Sequence, residues 1–145
     1  MAADESLEAL VERLRRARSG LREAIELAGG SWERSRRPRP DEGEGWTPRQ
    51  DAENAIEADR GYAGIVARTI GVAAPERVTA VLPSAAAALG ACEQAGARFD
   101  AVLAALAAEQ LILETELGVE VGDVLRGAAG HLREHARQLA GVEQR

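Results

Sequence analysis

The sequence has one cysteine, no lysine and few aromatic residues, and its scarcities exclude whole classes of protein. A single cysteine, Cys92, cannot form an internal disulfide, so a fold held together by disulfides is excluded. No apolar run approaches the roughly 18 residues that a membrane-spanning helix needs, which predicts no membrane segment. The first residues are acidic and lack a basic start followed by an apolar stretch, so we expect no signal peptide and a cytoplasmic protein.

Acidic residues outnumber basic ones. All 18 basic residues are arginine, and the 24 acidic residues give a formal net charge of -6. Nucleic-acid binding depends on clustered positive charge, so this balance predicts no nucleic-acid partner. A short basic stretch contains Arg34, Arg36, Arg37 and Arg39, but these side chains share no helical face. We interpret that stretch as a solvated loop.

Aliphatic residues are what the sequence has in quantity, since 46% of it is hydrophobic and only 3% is aromatic. A core of Ala, Leu, Val and Ile is typical of helix bundles rather than of sheets. Cys92 lies in such a pattern, and we interpret it as a small core residue rather than a nucleophile. At 145 residues the chain has the length of one typical domain, residues 1–145. We therefore predict an all-α protein, an antiparallel four-helix bundle.

Helix boundaries are predicted from apolar periodicity and from capping residues. Apolar residues recur at three- and four-residue steps in four segments, at about residues 4–28, 47–69, 83–108 and 122–142. The second segment has the clearest start. Thr47 is a good N-cap, Pro48 suits the first helical position, and Gln50 completes a capping-box pattern.

Three connecting segments carry no clear helical pattern. Residues 29–46 form a long polar loop rich in Arg, Pro, Glu and Gly, and loops of this length are mobile or functional. Residues 78–82 are consistent with a short helix or a turn. Residues 109–121 are ambiguous, because apolar and acidic residues alternate as in an extended segment, yet a lone hairpin gains little stability without packing on the helices.

The chain has only two histidines, His131 and His135, four residues apart in the last predicted helix. This spacing places both imidazoles on one helix face, one turn apart, as two ligands of one metal ion require. The stripe also contains Val124, Ala128 and Gln138, so the face that carries the histidines is largely apolar. The alternative is a pair of half-buried histidines that hydrogen-bond to backbone or solvent.

Two sequence motifs resemble the DinB-like four-helix-bundle superfamily. The motif GWTPRQ at 45–50 is similar to the start of its second helix, and VGDVLRGAAGHLREH at 121–135 is similar to its last helix. That superfamily includes thiol-dependent transferases and maleylpyruvate isomerases that use bacillithiol or mycothiol. Its usual site holds a divalent metal with three histidines, one on the second helix and an H-x-x-x-H pair on the last.

The resemblance assigns His131 and His135 to the pair and leaves the third ligand position to Asn54. An amide oxygen is a weaker ligand than imidazole for zinc, nickel or iron(II), so the resemblance implies a degenerate site whose metal is weakly bound or absent. Asp51, one turn before Asn54, offers a carboxylate that would complete a two-histidine, one-carboxylate set. The alternative for Asp51 is a first-turn acid favoured by the helix dipole.

For three residues near the candidate ligands in the predicted helices, the simplest interpretation is a structural role. Trp46 precedes the N-cap, where an apolar residue packs back on its helix as a staple. Tyr62 is two turns beyond Asn54, and its hydroxyl is expected to find a hydrogen-bond partner in the bundle. Glu134 lies between the two histidines but on another face, so we expect it to be solvated.

These residues leave the function open between three classes. The first is a metal-dependent transferase or isomerase that acts on a small molecule or a low-molecular-weight thiol. The second is a binding or interaction module that keeps the fold without tight metal binding. The third is a metalloprotein whose site is completed by Asp51 or Asn54. We also predict a homodimer, because the Ala- and Leu-rich helices offer more apolar surface than four such helices bury, and the resembled family often pairs through bundle faces.

Overall fold

Four long helices make up most of the structure, a computed structural model that describes residues 5–34, 46–77 and 79–143. The helices are α1 Leu7–Leu27, α2 Pro48–Ile70, α3 Ala85–Ala104 and α4 Val121–Glu143. Short 3-10 turns occupy Gly29–Ser31 and Ala108–Ile112. The predictions of an all-α protein and of four helices packed as a bundle are confirmed.

The start of α2 follows the predicted capping box. The backbone N–H of Gln50 donates to Thr47 Oγ1 over 3.2 Å, and the N–H of Thr47 donates to Gln50 Oε1 over 2.8 Å. At the other end Gly71 has a φ of 79°, a left-handed conformation that glycine adopts without steric penalty. The capping box sets the rotational phase of α2, and therefore which face presents Asp51 and Asn54.

The helices form a ring in which α1 and α2 each pack against both α3 and α4. Helices α1 and α2 are consecutive in the chain but diagonal to each other in this ring. The same holds for α3 and α4, which are joined by residues 105–120. Only α2 and α3 are both neighbours in the ring and consecutive in the chain. This arrangement brings the first half of α2 against α4, where the histidines lie.

The core is a single cluster of mainly aliphatic side chains, as the composition predicts, and it also contains Trp32, Cys92 and Phe99. Its largest fully buried members are Leu10, Leu14, Leu21, Ile25, Ile56, Val66, Phe99, Val121, Leu125, Leu132 and Leu139. They come from all four helices, so burial of apolar surface is what holds the helices together. Among the described residues no helix is long and apolar enough to cross a membrane.

The core also contains an ion pair that apolar periodicity does not reveal. Arg18 of α1 donates through Nη2 to both carboxylate oxygens of Asp59 in α2, at 3.2 and 3.1 Å, and both residues are buried. The guanidinium lies 5.7 Å from the centre of the Phe99 ring. Burial raises the pKa of Asp59, and Arg18 partly offsets that effect. A Cβ on Gly96 would lie 2.6 Å from Arg18 Cδ, so only glycine leaves room for this side chain.

Several predicted boundaries shift. The third helix ends at Ala104 rather than near residue 108, because Ala107 is extended and its N–H donates to Gln110 Oε1 to begin a 3-10 turn. Residues 109–121 continue that turn and then form a single antiparallel bridge between Glu114 and Glu120, packed beside α4.

Two predicted connections are only partly described. Residues 35–45 of the 29–46 loop lie outside the described residues, and the arginines at 36, 37 and 39 lie there too. In the 78–82 segment, residues 79–82 are not helical, and residue 78 lies outside the described residues.

Candidate metal centre

The two histidines lie together on the face of α4 that packs against α2. Their ring centroids are 4.5 Å apart and the rings meet edge to face, with an interplanar angle of 68°. His135 is buried at 5% exposure, whereas His131 is half-buried. The four-residue spacing on one helix produces this contact directly.

Helix α2 places one oxygen atom at each nitrogen of His135. Asp51 Oδ1 is 3.3 Å from His135 Nδ1, and Asn54 Oδ1 is 2.8 Å from His135 Nε2. Asp51 and Asn54 are three residues apart, so they share a face of α2. The structure therefore brings the three candidate ligands Asn54, His131 and His135 into one cluster, with Asp51 on the far edge of the His135 ring.

Asn54 lies at the rim of the bundle and not in its interior. Its side chain is exposed at the rim of the α2–α4 contact, whereas Asp51, one turn earlier, has 0% exposure. The reason is the phase of α2, which turns Asp51 inward and leaves Asn54 at the edge of the packed face. The cluster is therefore open to solvent beside Asn54.

The carboxylate of Asp51 is not grouped with both histidines in the described part of the chain. Among the described residues, no three side chains of the His, Cys, Asp and Glu types are arranged to hold a metal ion. Asp51 Oδ1 faces Nδ1 of His135, the nitrogen on the edge away from Asn54. The first-turn acid that the sequence suggests is thus a fully buried partner of a histidine.

Two aromatic rings border the histidines. Trp46 stacks on His135, with centroids 6.2 Å apart and an interplanar angle of 17°. Tyr62 meets His131 edge to face, with centroids 6.0 Å apart. Trp46 thus packs against α4, a contact that the staple interpretation did not include. Its position next to the capping box was the only sequence signal for this role.

His131 carries a buried nitrogen that lacks a partner. Its Nδ1 atom has no hydrogen-bond partner among the described residues, although buried polar atoms are normally paired. Burial, followed by the neighbouring His135, lowers the pKa of His131 below its ordinary value of 6.5. The ring is therefore neutral at pH 7, which is the state in which imidazole binds a metal.

Whether the contact between His135 and Asn54 is favourable depends on which of the two facing atoms carries a hydrogen atom. If Nδ1 carries the proton toward Asp51, Nε2 of the neutral ring is an acceptor. The amide oxygen 2.8 Å away is an acceptor too, and two acceptors repel each other at that distance. A metal ion or a second proton on the ring would make this contact favourable. Turning the amide by 180° would do the same, because its NH2 group would then donate to Nε2.

Two further side chains of the nucleophile or base type are Cys92 and Glu134. Cys92 is buried, as predicted, and burial raises the pKa of its thiol to about 11, so it remains protonated at neutral pH. Its charged neighbours are Arg18 and Asp59 rather than the histidines. Glu134 bonds to Arg137 and Gln138 of its own helix, and its charge opposes the lowering of the His131 pKa.

Comparison with known proteins adds no identification. No protein-family model, no curated protein and no solved structure matches the chain. The likeness to the DinB-like superfamily therefore rests on the two motifs at 45–50 and 121–135. Function has to be argued from the side chains themselves.

Proposed function

We propose that this is a DinB-like protein that binds one divalent metal ion through His131, His135 and Asn54. The contact that carries the proposal is the one between His135 Nε2 and Asn54 Oδ1, 2.8 Å apart, which are both acceptors when His135 carries its proton on Nδ1. A metal ion beside the pair and bound to both atoms would offset their repulsion. The buried Nδ1 atom of His131, which has no hydrogen-bond partner in the part of the chain that the structure describes, supports a further ligand from the adjacent ring.

The donors suit zinc, nickel or iron(II), but the set is weak. Two imidazole nitrogens are good ligands for these ions, whereas a neutral amide oxygen contributes little. Three protein ligands also leave a coordination position for water or substrate. Because Asn54 is exposed, a small molecule has access from the solvent side.

The reaction proposed from the resemblance is a thiol-dependent transfer or isomerisation. A bound divalent ion would supply Lewis acidity toward a thiol or a carbonyl group. The protein's own part is to hold the donors, with Trp46 against His135 and Tyr62 against His131 limiting the movement of both rings. The alternative is a non-catalytic module that binds a small molecule or a partner without metal.

Zinc titration of protein purified without a histidine tag or chelating resin tests the proposal. We expect one zinc per chain, and at least about a tenfold loss of affinity, a change of about 1.4 kcal/mol, in His131→Ala and in His135→Ala. Arg133→Ala is the control, because Arg133 lies between the histidines but is exposed. Equal zinc affinity in all four proteins would contradict the metal site. Binding of a thiol in the presence of a chelator would favour the non-catalytic module.

We also propose a homodimer, formed through the segment before α4. Six large hydrophobic side chains are exposed among the described residues, and four of them fall in this segment: Ile112, Leu113, Leu117 and Val119. The excess apolar surface is thus concentrated in a turn rather than spread over the helix faces. Clustered apolar exposure of this kind is typical of association surfaces.

Light scattering at micromolar concentration tests the dimer. We expect a mass of twice 15.4 kDa for the natural chain and a monomer for the double variant Ile112→Ser, Leu117→Ser, because both residues are more than half exposed. Leu27→Ser is the matched control, since Leu27 is 62% exposed at the end of α1, away from this segment. A monomer mass for the natural chain would refute the dimer.

A further inference from the structure

Asp51 is buried too completely for a carboxylate that serves only a helix end. Its exposed fraction is 0%, and its Oδ1 atom faces His135 Nδ1 at 3.3 Å. Charged side chains are rarely buried without a partner that offsets the loss of hydration. The other side chain of this contact is His135, whose ring also faces the solvent-accessible rim at Asn54.

The charge of Asp51 restricts where His135 carries its proton. Asp51 lies in the first turn of α2, where the helix dipole favours a negative charge. An ionised carboxylate only accepts hydrogen bonds, so a favourable contact requires a proton on Nδ1. A neutral imidazole has one N–H, and Nε2 is then the atom with the lone pair.

We propose that Asp51 is a positioning residue that holds His135 in the Nδ1–H tautomer and directs its Nε2 lone pair toward the rim at Asn54. A carboxylate hydrogen-bonded to the far nitrogen of a histidine fixes the tautomer and the orientation of that ring. Turning the ring over would replace the Nδ1–H that faces the carboxylate with a carbon atom and lose this hydrogen bond. Trp46, stacked on the same ring at 6.2 Å, restricts it further.

This arrangement defines what the rim of the site accepts. Nε2 and Asn54 Oδ1 together favour a cation or a group that donates a hydrogen bond, and they disfavour a bare anion. The inference concerns the ligand class of the proposed metal site, but it rests on the contact between Asp51 and His135. The role of Asp51 therefore applies to the metal-free chain, and it can be correct even if the proposed metal site is wrong.

Nitrogen-15 NMR of the histidine side chains in the metal-free full chain tests the proposal at pH 8, above the ordinary pKa of histidine. In the natural chain we expect His135 as the Nδ1–H tautomer. In Asp51→Asn, whose amide either donates or accepts, the ratio of tautomers is expected to fall by about tenfold or more, as for loss of one hydrogen bond to a charged group. An Nε2–H or doubly protonated His135 in the natural chain would overturn the proposal, whether or not the variant folds.

Asp59→Asn is the matched control, because Asp59 is also a buried aspartate of α2 but pairs with Arg18. We expect it to leave the tautomer of His135 unchanged, and an equal shift in both variants would overturn the positioning role. Zinc titration of the same proteins separates this inference from the proposed function. Asp51→Asn should weaken zinc binding by about 10- to 100-fold. An altered tautomer in a chain that binds no zinc would support the role of Asp51 and refute the metal site.

Discussion

Replacing Asn54 by histidine is expected to raise zinc affinity by about 100-fold, a change of about 2.8 kcal/mol. The substitution exchanges a weak amide oxygen for an imidazole nitrogen at a position already within 2.8 Å of His135 Nε2. Asn54 is exposed, so the larger ring finds space toward solvent and the fold should be retained. Nickel should show the same direction.

Titration calorimetry on a series at this one position checks the expectation. Affinity should fall in the order Asn54→His, natural chain, Asn54→Ala, because the third ligand is respectively strengthened, kept and removed. The matched control is the same histidine substitution in a chain that also carries His135→Ala, where the gain should be largely lost. Equal zinc affinity across the series would show that Asn54 is not a ligand.

Loss of the buried charge of Arg18 is expected to destabilise the fold by about 3–5 kcal/mol in Arg18→Met. The variant removes the guanidinium that offsets the burial of Asp59 and leaves that carboxylate without its cation inside the bundle. Burial already raises the pKa of Asp59 with Arg18 present, so removing Arg18 raises it further. Denaturant unfolding at pH 7 measures the change.

Two further variants separate the buried ion pair from a general effect of removing arginine. Arg22→Met breaks the exposed pair with Glu93 one turn along α1, and should change the free energy of unfolding little. The double variant Arg18→Met, Asp59→Leu removes both charges and should recover most of the lost stability. A loss in Arg18→Met no larger than that in Arg22→Met would contradict the role assigned to the buried pair.

Local signals in the sequence predicted the elements that carry the candidate site. The capping box of Thr47 and Gln50 depends on residues three apart, so it could be identified in the sequence. It sets the rotational phase of α2. The spacing of His131 and His135 likewise guaranteed a shared face, because it follows from the helix repeat. Apolar periodicity located the four helices but not the end of α3, where Ala107 leaves the helix for a new turn.

Contacts between helices could not be predicted from the sequence, because they depend on how deeply each helix face is buried. Periodicity treats Asp51 and Asn54 as near neighbours on one face, yet packing against α4 buries one completely and leaves the other at the rim. The buried pair of Arg18 and Asp59 joins residues 41 positions apart. Helix repeat and capping are local properties that a chain carries in its residue order. Burial, which turns an ordinary first-turn aspartate into the partner of His135, arises only when distant helices exclude water from the same atoms.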